Sequence, residues 1–130
     1  MIDPASVIEH TLLRADATRQ DIERLCSEAR EHRFHAVCVN GSRVEQARHA
    51  LEETEVKVVT VAGFPLGASD ADAKRYEIEA AVDAGAHEID VVLNVGRLKD
   101  GDDRYVLREL RDLVEAADGA LVKVILETSL

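Results

Sequence analysis

Apolar residues along this chain gather in five short runs, SVIEHTLL, FHAVCVN, VKVVTVAGF, EIDVVLNVG and LVKVILET, recurring about every 25 to 33 residues. Their length and their content of β-branched residues predict strands. Between them, apolar positions return at helical spacing: Ile22, Leu25, Cys26 and Ala29, then Val44, Ala47 and Leu51, then Val106, Leu107, Leu110 and Val114. Thr18 with Asp21, and Ser69 with Asp72, have the spacing of helix starts, and Gly85 and Gly119 sit where helices should end. Strands alternating with helices imply right-handed crossovers and a parallel sheet.

Alternate side chains of a strand point to opposite faces, so parity separates two sets. Ile8, Leu12, Val37, Val39, Val59, Val61, Ile89, Val91, Leu93, Val122, Val124 and Leu126 form an aliphatic set suited to a face covered by helices. The opposite set holds Glu9, Thr11, Cys38, Asn40, Thr60, Asp90, Asn94, Lys123 and Glu127, so polar groups recur on it in every strand. An open doubly wound sheet is covered on both faces and should be apolar on both, whereas a barrel interior can gather polar groups into a site. The pattern favours a barrel wall.

Composition narrows the rest. One domain over residues 1–130 is expected from the length, and no run reaches the roughly 18 apolar residues a membrane span needs. The start, MIDPASVIEH, has no basic-then-apolar leader, which points to a cytoplasmic protein without a membrane partner. A net charge of −10, two Phe, two Tyr and no Trp argue against nucleic acid as a partner. The two cysteines, Cys26 and Cys38, have no metal-site spacing and read as reduced, buried thiols.

Lys123, inside an apolar strand, is the most informative single residue. A lysine taken out of water must find a carboxylate or lose its proton, and Asp90 and Glu127 are its candidate partners by strand parity. A structural ion pair and a catalytic amine fit that spacing equally. Cys38 has no local base and reads as a pocket-lining thiol. The turn GFPLGA at 63–68 is a place where backbone N–H groups could receive an anion, and it also makes a tight turn without any ligand. The five histidines form no metal set, so no metal is expected.

The strings IEHTLL, AVCVN, TVAGFPLGA, HEIDVVLNVGRLKDGD and VKVILET, in this order and spacing, resemble the deoxyribose-phosphate aldolase family from Val7 to the last residues. The resemblance implies a class I aldolase built on a TIM (βα)8 barrel, of which this α/β chain would be the (βα)4β portion. It implies cleavage of 2-deoxy-D-ribose 5-phosphate to acetaldehyde and glyceraldehyde 3-phosphate through a lysine Schiff base, without cofactor or metal. By position, Asp90 matches the aspartate that supports proton transfer, and Lys123 the lysine beside the reactive amine. Cys38 and Thr11 match residues lining the pocket, and Glu9 stands where the family usually has aspartate. The imine-forming lysine of the family lies on its sixth strand, in a stretch like FVKTSTGF that this sequence does not contain. The expectation is therefore a chain inactive alone, either completed by a C-terminal half or self-associating through exposed strand edges as a non-catalytic homo-oligomer. Weak imine chemistry on Lys123 itself is a further alternative. A response-regulator module has the same element order but needs an acidic cluster and a phosphoacceptor aspartate that are absent.

Overall fold

A computed structural model describes residues 1–130. Its first helix shows how local chemistry sets boundaries. Thr18 accepts a bond from Asp21 N at 3.3 Å while the Asp21 carboxylate accepts from Thr18 N at 2.8 Å, and α1 (Arg19–His32) follows. Strand β1 (Glu9–Leu12) precedes it, after a 3-10 turn at Pro4–Val7 that takes the start of the first apolar run out of the sheet. The order continues through β2 (Ala36–Val39), α2 (Val44–Ala50), β3 (Lys57–Ala62), α3 (Ala71–Asp83) and β4 (Glu88–Val92). After α4 (Val95–Lys99) and α5 (Asp103–Ala116), β5 (Leu121–Ile125) ends the series.

Gly85 and Gly119, with φ of 103° and 91°, follow α3 and α5 as their sequence positions imply. Two details differ from the sequence expectation. The cap of α3 is Asp70 rather than Ser69, its carboxylate accepting from Asp72 N at 2.8 Å. The short α4 was not anticipated; Asn94 starts it by accepting from Arg97 N at 3.1 Å, within a stretch too brief to show helical periodicity.

The five strands are parallel and pair in the order β1-β2-β3-β4-β5. A doubly wound sheet reverses order at a switch point, whereas a barrel wall runs in sequence, as here. Helices α1, α2, α3 and α5 share one face. Val37, Val39, Val58, Ile89 and Val91 pack there with Ile22, Leu25, Ala47, Ile78 and Leu113 in the main core. A smaller cluster, Ala36, Cys38, Val59 and Val61 with Leu13 and Ile125, lies on the other face without a helix. The architecture is the (βα)4β wall of a TIM-type barrel, with that second face concave.

Strand β3 corrects the parity reading. Val59 and Val61 belong to the concave face and Thr60 to the helix face, where its hydroxyl donates to Val39 O at 2.7 Å. Thr60 is the one polar residue in the buried part of β3, and it suggested the wrong side; a buried hydroxyl that bonds the neighbouring backbone costs little there.

One ionic feature lies within the helical layer. Lys74 of α3 is fully buried, its Nζ donating to Val92 O at 3.0 Å and meeting Glu109 Oε2 of α5 at 3.2 Å. The pair ties α3 and α5 to the C-terminal end of β4.

Candidate active site on the concave face

Strand register brings the candidate residues together. Asp90 faces Lys123 directly across the β4–β5 pair, and Thr11 faces Cys38 across β1–β2. From the last strand, Lys123 Nζ reaches Asp90 Oδ1 and Glu88 Oε2, each at 3.2 Å, and crosses the concave face to the Glu9 carboxylate of the first strand. One ammonium thus sits among three carboxylates. Glu127, expected as a partner by parity, lies beyond the end of β5, exposed and in the left-handed region (φ 54°), and pairs with nothing. The strand stops before the alternation can carry it inward.

The carboxylates are largely shielded, with side-chain exposures of 22% for Glu9, 11% for Glu88 and 15% for Asp90. Burial and the neighbouring Glu88 carboxylate push the Asp90 carboxyl up to about 6. The Lys123 ammonium acts against that rise. Burial in turn lowers the Lys123 amine below the ordinary lysine range, and the surrounding carboxylates oppose that shift. Asp90 Oδ1 and Glu88 Oε2 are buried and lie at ion-pair distance from Nζ without hydrogen-bond alignment, so each keeps an accepting lone pair.

Cys38 is buried in β2, and burial, reinforced by Asp90, pushes its thiol up to about 12. At neutral pH it is a protonated, weakly nucleophilic part of the concave face. The Thr11 hydroxyl donates to Glu9 O at 3.0 Å, and Thr11 itself is exposed. Glu9, Cys38 and Asp90 hold one donor atom each within 4.8 Å of one another, a spacing a metal ion could use. Lys123 Nζ, a cation of the chain itself, already lies against the Glu9 and Asp90 carboxylates, so the set reads as part of an ion-pair cluster.

Sequence reasoning missed Glu88. It shares parity with Asp90 two residues on, which was the available signal, but a glutamate opening a strand looks like a surface residue. Here its second oxygen, Oε1, lies 3.0 Å from His35 Nε2. The other histidines lie elsewhere: His10 pairs with Glu28 at 2.6 Å on the helix side, and His87 accepts from Val58 N at 2.9 Å. In the 63–69 loop, the Gly63 N–H donates to Glu77 Oε2 at 2.8 Å, so a carboxylate of the chain occupies part of the turn considered for an anion. Gly67 (φ 67°) passes so close to β4 that a Cβ would lie 2.2 Å from Leu93 O.

The chain is similar to known proteins along nearly its whole length. Residues 6–130 match a family model described as DeoC/LacD family aldolase. The deoxyribose-phosphate aldolase of Thermotoga maritima is 55% identical over 126 residues, covering 97% of this chain and 51% of that protein. That of Aciduliprofundum boonei is 52% identical over 126 residues, 95% of this chain and 57% of its own. Among solved structures, the deoxyribose phosphate aldolase of Aeropyrum pernix, described as a unique tetramer, superposes with a TM-score of 0.86 at 35% identity over 96% of this chain and 53% of that one. The chain spans about half the length of the curated relatives it matches.

Proposed function

Given that the chain belongs to the DeoC/LacD family of aldolases, we propose that its concave face supplies the proton-transfer half of a class I site that cleaves 2-deoxy-D-ribose 5-phosphate in the cytoplasm. The observation that carries this reading is Asp90: a shielded carboxyl near 6, with an unused buried oxygen, 3.2 Å from an ammonium on the next strand. A group titrating near neutrality can both take and return a proton.

In the proposed reaction an unprotonated lysine amine, on a strand following β5 in a complete barrel, forms an imine with the C1 aldehyde of the open-chain sugar. Asp90, through the charge network with Lys123, takes the proton of the C3 hydroxyl. The C2–C3 bond breaks, its electrons passing into the enamine, and glyceraldehyde 3-phosphate leaves. Protonation of the enamine at C2 and hydrolysis then release acetaldehyde and restore the amine. Lys123 keeps Asp90 oriented and lends positive charge to the neighbouring amine, which favours that amine's neutral form. Cys38, Thr11 and Glu9 line the floor beside the sugar.

The test is a retro-aldol assay with deoxyribose 5-phosphate on the chain alone and on the chain mixed with the C-terminal half of the Thermotoga relative, alongside borohydride trapping with acetaldehyde and mass mapping. Cleavage only in the mixture, abolished by Asp90→Asn, is expected. An acetaldehyde adduct on Lys123 would overturn the assignment and make Lys123 the imine-forming amine.

A second reading is favoured by the concave face itself, where Ile125 and Lys123 are only half-buried and β1 and β5 end the sheet without a further strand partner. Unpaired parallel edges associate, and a self-associated, non-catalytic half-barrel would use them. Light scattering after size-exclusion chromatography decides this: a multiple of 14.3 kDa supports it and a monomer removes it.

A further inference from the structure

Lys123 is linked through Glu88 to a histidine that precedes β2. Glu88 opens β4, with one oxygen, Oε2, 3.2 Å from Lys123 Nζ and the other, Oε1, 3.0 Å from His35 Nε2. A carboxylate facing a ring nitrogen can only accept, so that nitrogen carries the proton and His35 donates. The backbone of His35 is pinned on both sides, its N–H donating to Ala5 O at 3.0 Å and its carbonyl accepting from Lys57 N at 2.9 Å. His35, its side chain about one-third exposed, is among the residues lining a surface cavity with Arg30, Arg33, Ser6 and Thr54. A continuous polar chain therefore runs from solvent, through His35 and Glu88, to the lysine.

We propose that Glu88 is a positioning residue for Lys123, held in place by His35, so that a histidine preceding β2 governs how firmly the lysine is kept as an ammonium. This rests on the role given to Lys123 in the proposed reaction, and extends it. A carboxylate with both oxygens engaged has one orientation in which Oε2 meets Nζ. Without the His35 donor it can rotate, and the favourable charge beside Nζ moves away. Glu88 acts on Lys123 by its charge, 3.2 Å from Nζ, as it also does on the neighbouring Asp90 carboxyl.

The charged surroundings are limited. On the concave side Lys123 faces Glu9 of β1 and Glu88 and Asp90 of β4. The Cys38 thiol of β2 lies against Asp90, and Lys57, first residue of β3, is exposed at the N-terminal end of the same face. Around His35 stand Arg30, Arg33 and Glu55. His87 adjoins Glu88 in sequence but turns to Arg48 and the Val58 backbone.

The experiment is pH-dependent acetylation of Lys123 with trace acetic anhydride, quantified by mass spectrometry, on the chain and on Glu88→Gln, His35→Leu, His35→Gln and the Glu88→Gln/His35→Leu pair. Removing a carboxylate from beside an ammonium lowers the midpoint of amine labelling, here by about one to two pH units for Glu88→Gln. His35→Leu should shift it in the same direction by less, the double variant no further than Glu88→Gln alone, and His35→Gln, which keeps a donor, not at all. An unshifted midpoint in a folded Glu88→Gln protein overturns the proposal, as does a His35→Leu shift that persists in full when Glu88 is already Gln. If Glu88→Gln does not fold, the His35 pair decides: a shift in Leu but not in Gln supports the link, and equal midpoints refute it. Labelling needs no substrate, so its outcome stands apart from that of the retro-aldol assay.

Discussion

Lys74→Met removes the ammonium of the buried Lys74–Glu109 pair while keeping most of the stem that packs against Gly63. Both partners are desolvated, with side-chain exposures of 0% and 1%, and Glu109 Oε1 has no hydrogen-bond partner even with the lysine present. At 3.2 Å and an effective dielectric of about 20 the pair attracts by about 5 kcal/mol. Deleting one partner strands the other charge after its desolvation has been incurred, and the Val92 carbonyl also loses its donor. The expected loss is about 3 to 5 kcal/mol, a large part of the roughly 5 to 15 kcal/mol that holds a domain folded. Urea unfolding followed by circular dichroism should show the midpoint falling by about 2 M for a slope near 2 kcal/mol per M. Adding Glu109→Leu should recover most of the loss, because an apolar pair of similar volume has no stranded charge. A single variant costing under about 1 kcal/mol, or a double variant as unstable as Lys74→Met, would refute the reasoning.

Asp90 predicts a pH dependence of stability. Its folded carboxyl titrates near 6, above the ordinary 3.8, so between those values the folded chain holds a proton the unfolded chain has released. That contribution is complete below the lower value and is lost as pH rises through 6, so Asp90→Asn should gain about 1 to 3 kcal/mol on the parent near pH 7 and nothing near pH 3.5, read from unfolding midpoints. Cys26 and Cys38, buried and pushed up to about 11 and about 12, should react with a disulfide reagent only after unfolding; rapid labelling of Cys38 in the native protein would contradict its protonated, enclosed state. Gly67→Ala combines a positive φ with a Cβ 2.2 Å from Leu93 O, and should cost at least about 2 kcal/mol, seen as a Tm lowered by several degrees.

The strand–helix rhythm was legible because each strand is a compact β-branched run and each long helix carries a repeating apolar stripe. Parity placed Asp90 and Lys123 on one face, and the β4–β5 register sets them opposite each other. It failed where the polar residue inside a strand faces the helices, as Thr60 does in β3, and where a strand ends early, as with Glu127. Glu88 and Lys74 escaped for a different reason. Charged residues at a strand start and on a helix are ordinarily solvated, and only tertiary packing of α5 over α3, or of β5 beside β4, buries them.

The unreversed strand order carries a consequence for synthesis. Each strand pairs with its predecessor in the chain, at separations of 27, 21, 29 and 33 residues for Glu9–Ala36, Ala36–Lys57, Val59–Glu88 and Glu88–Leu121. The sheet can therefore grow one strand at a time as the polypeptide leaves the ribosome, without waiting for a distant partner. In that order the strands that carry Glu9, Glu88 and Asp90 emerge and can pair before the strand that carries Lys123. A wall of four paired strands holds three carboxylates on its concave face with no lysine among them, and the fifth strand brings the one ammonium that partly offsets their charge.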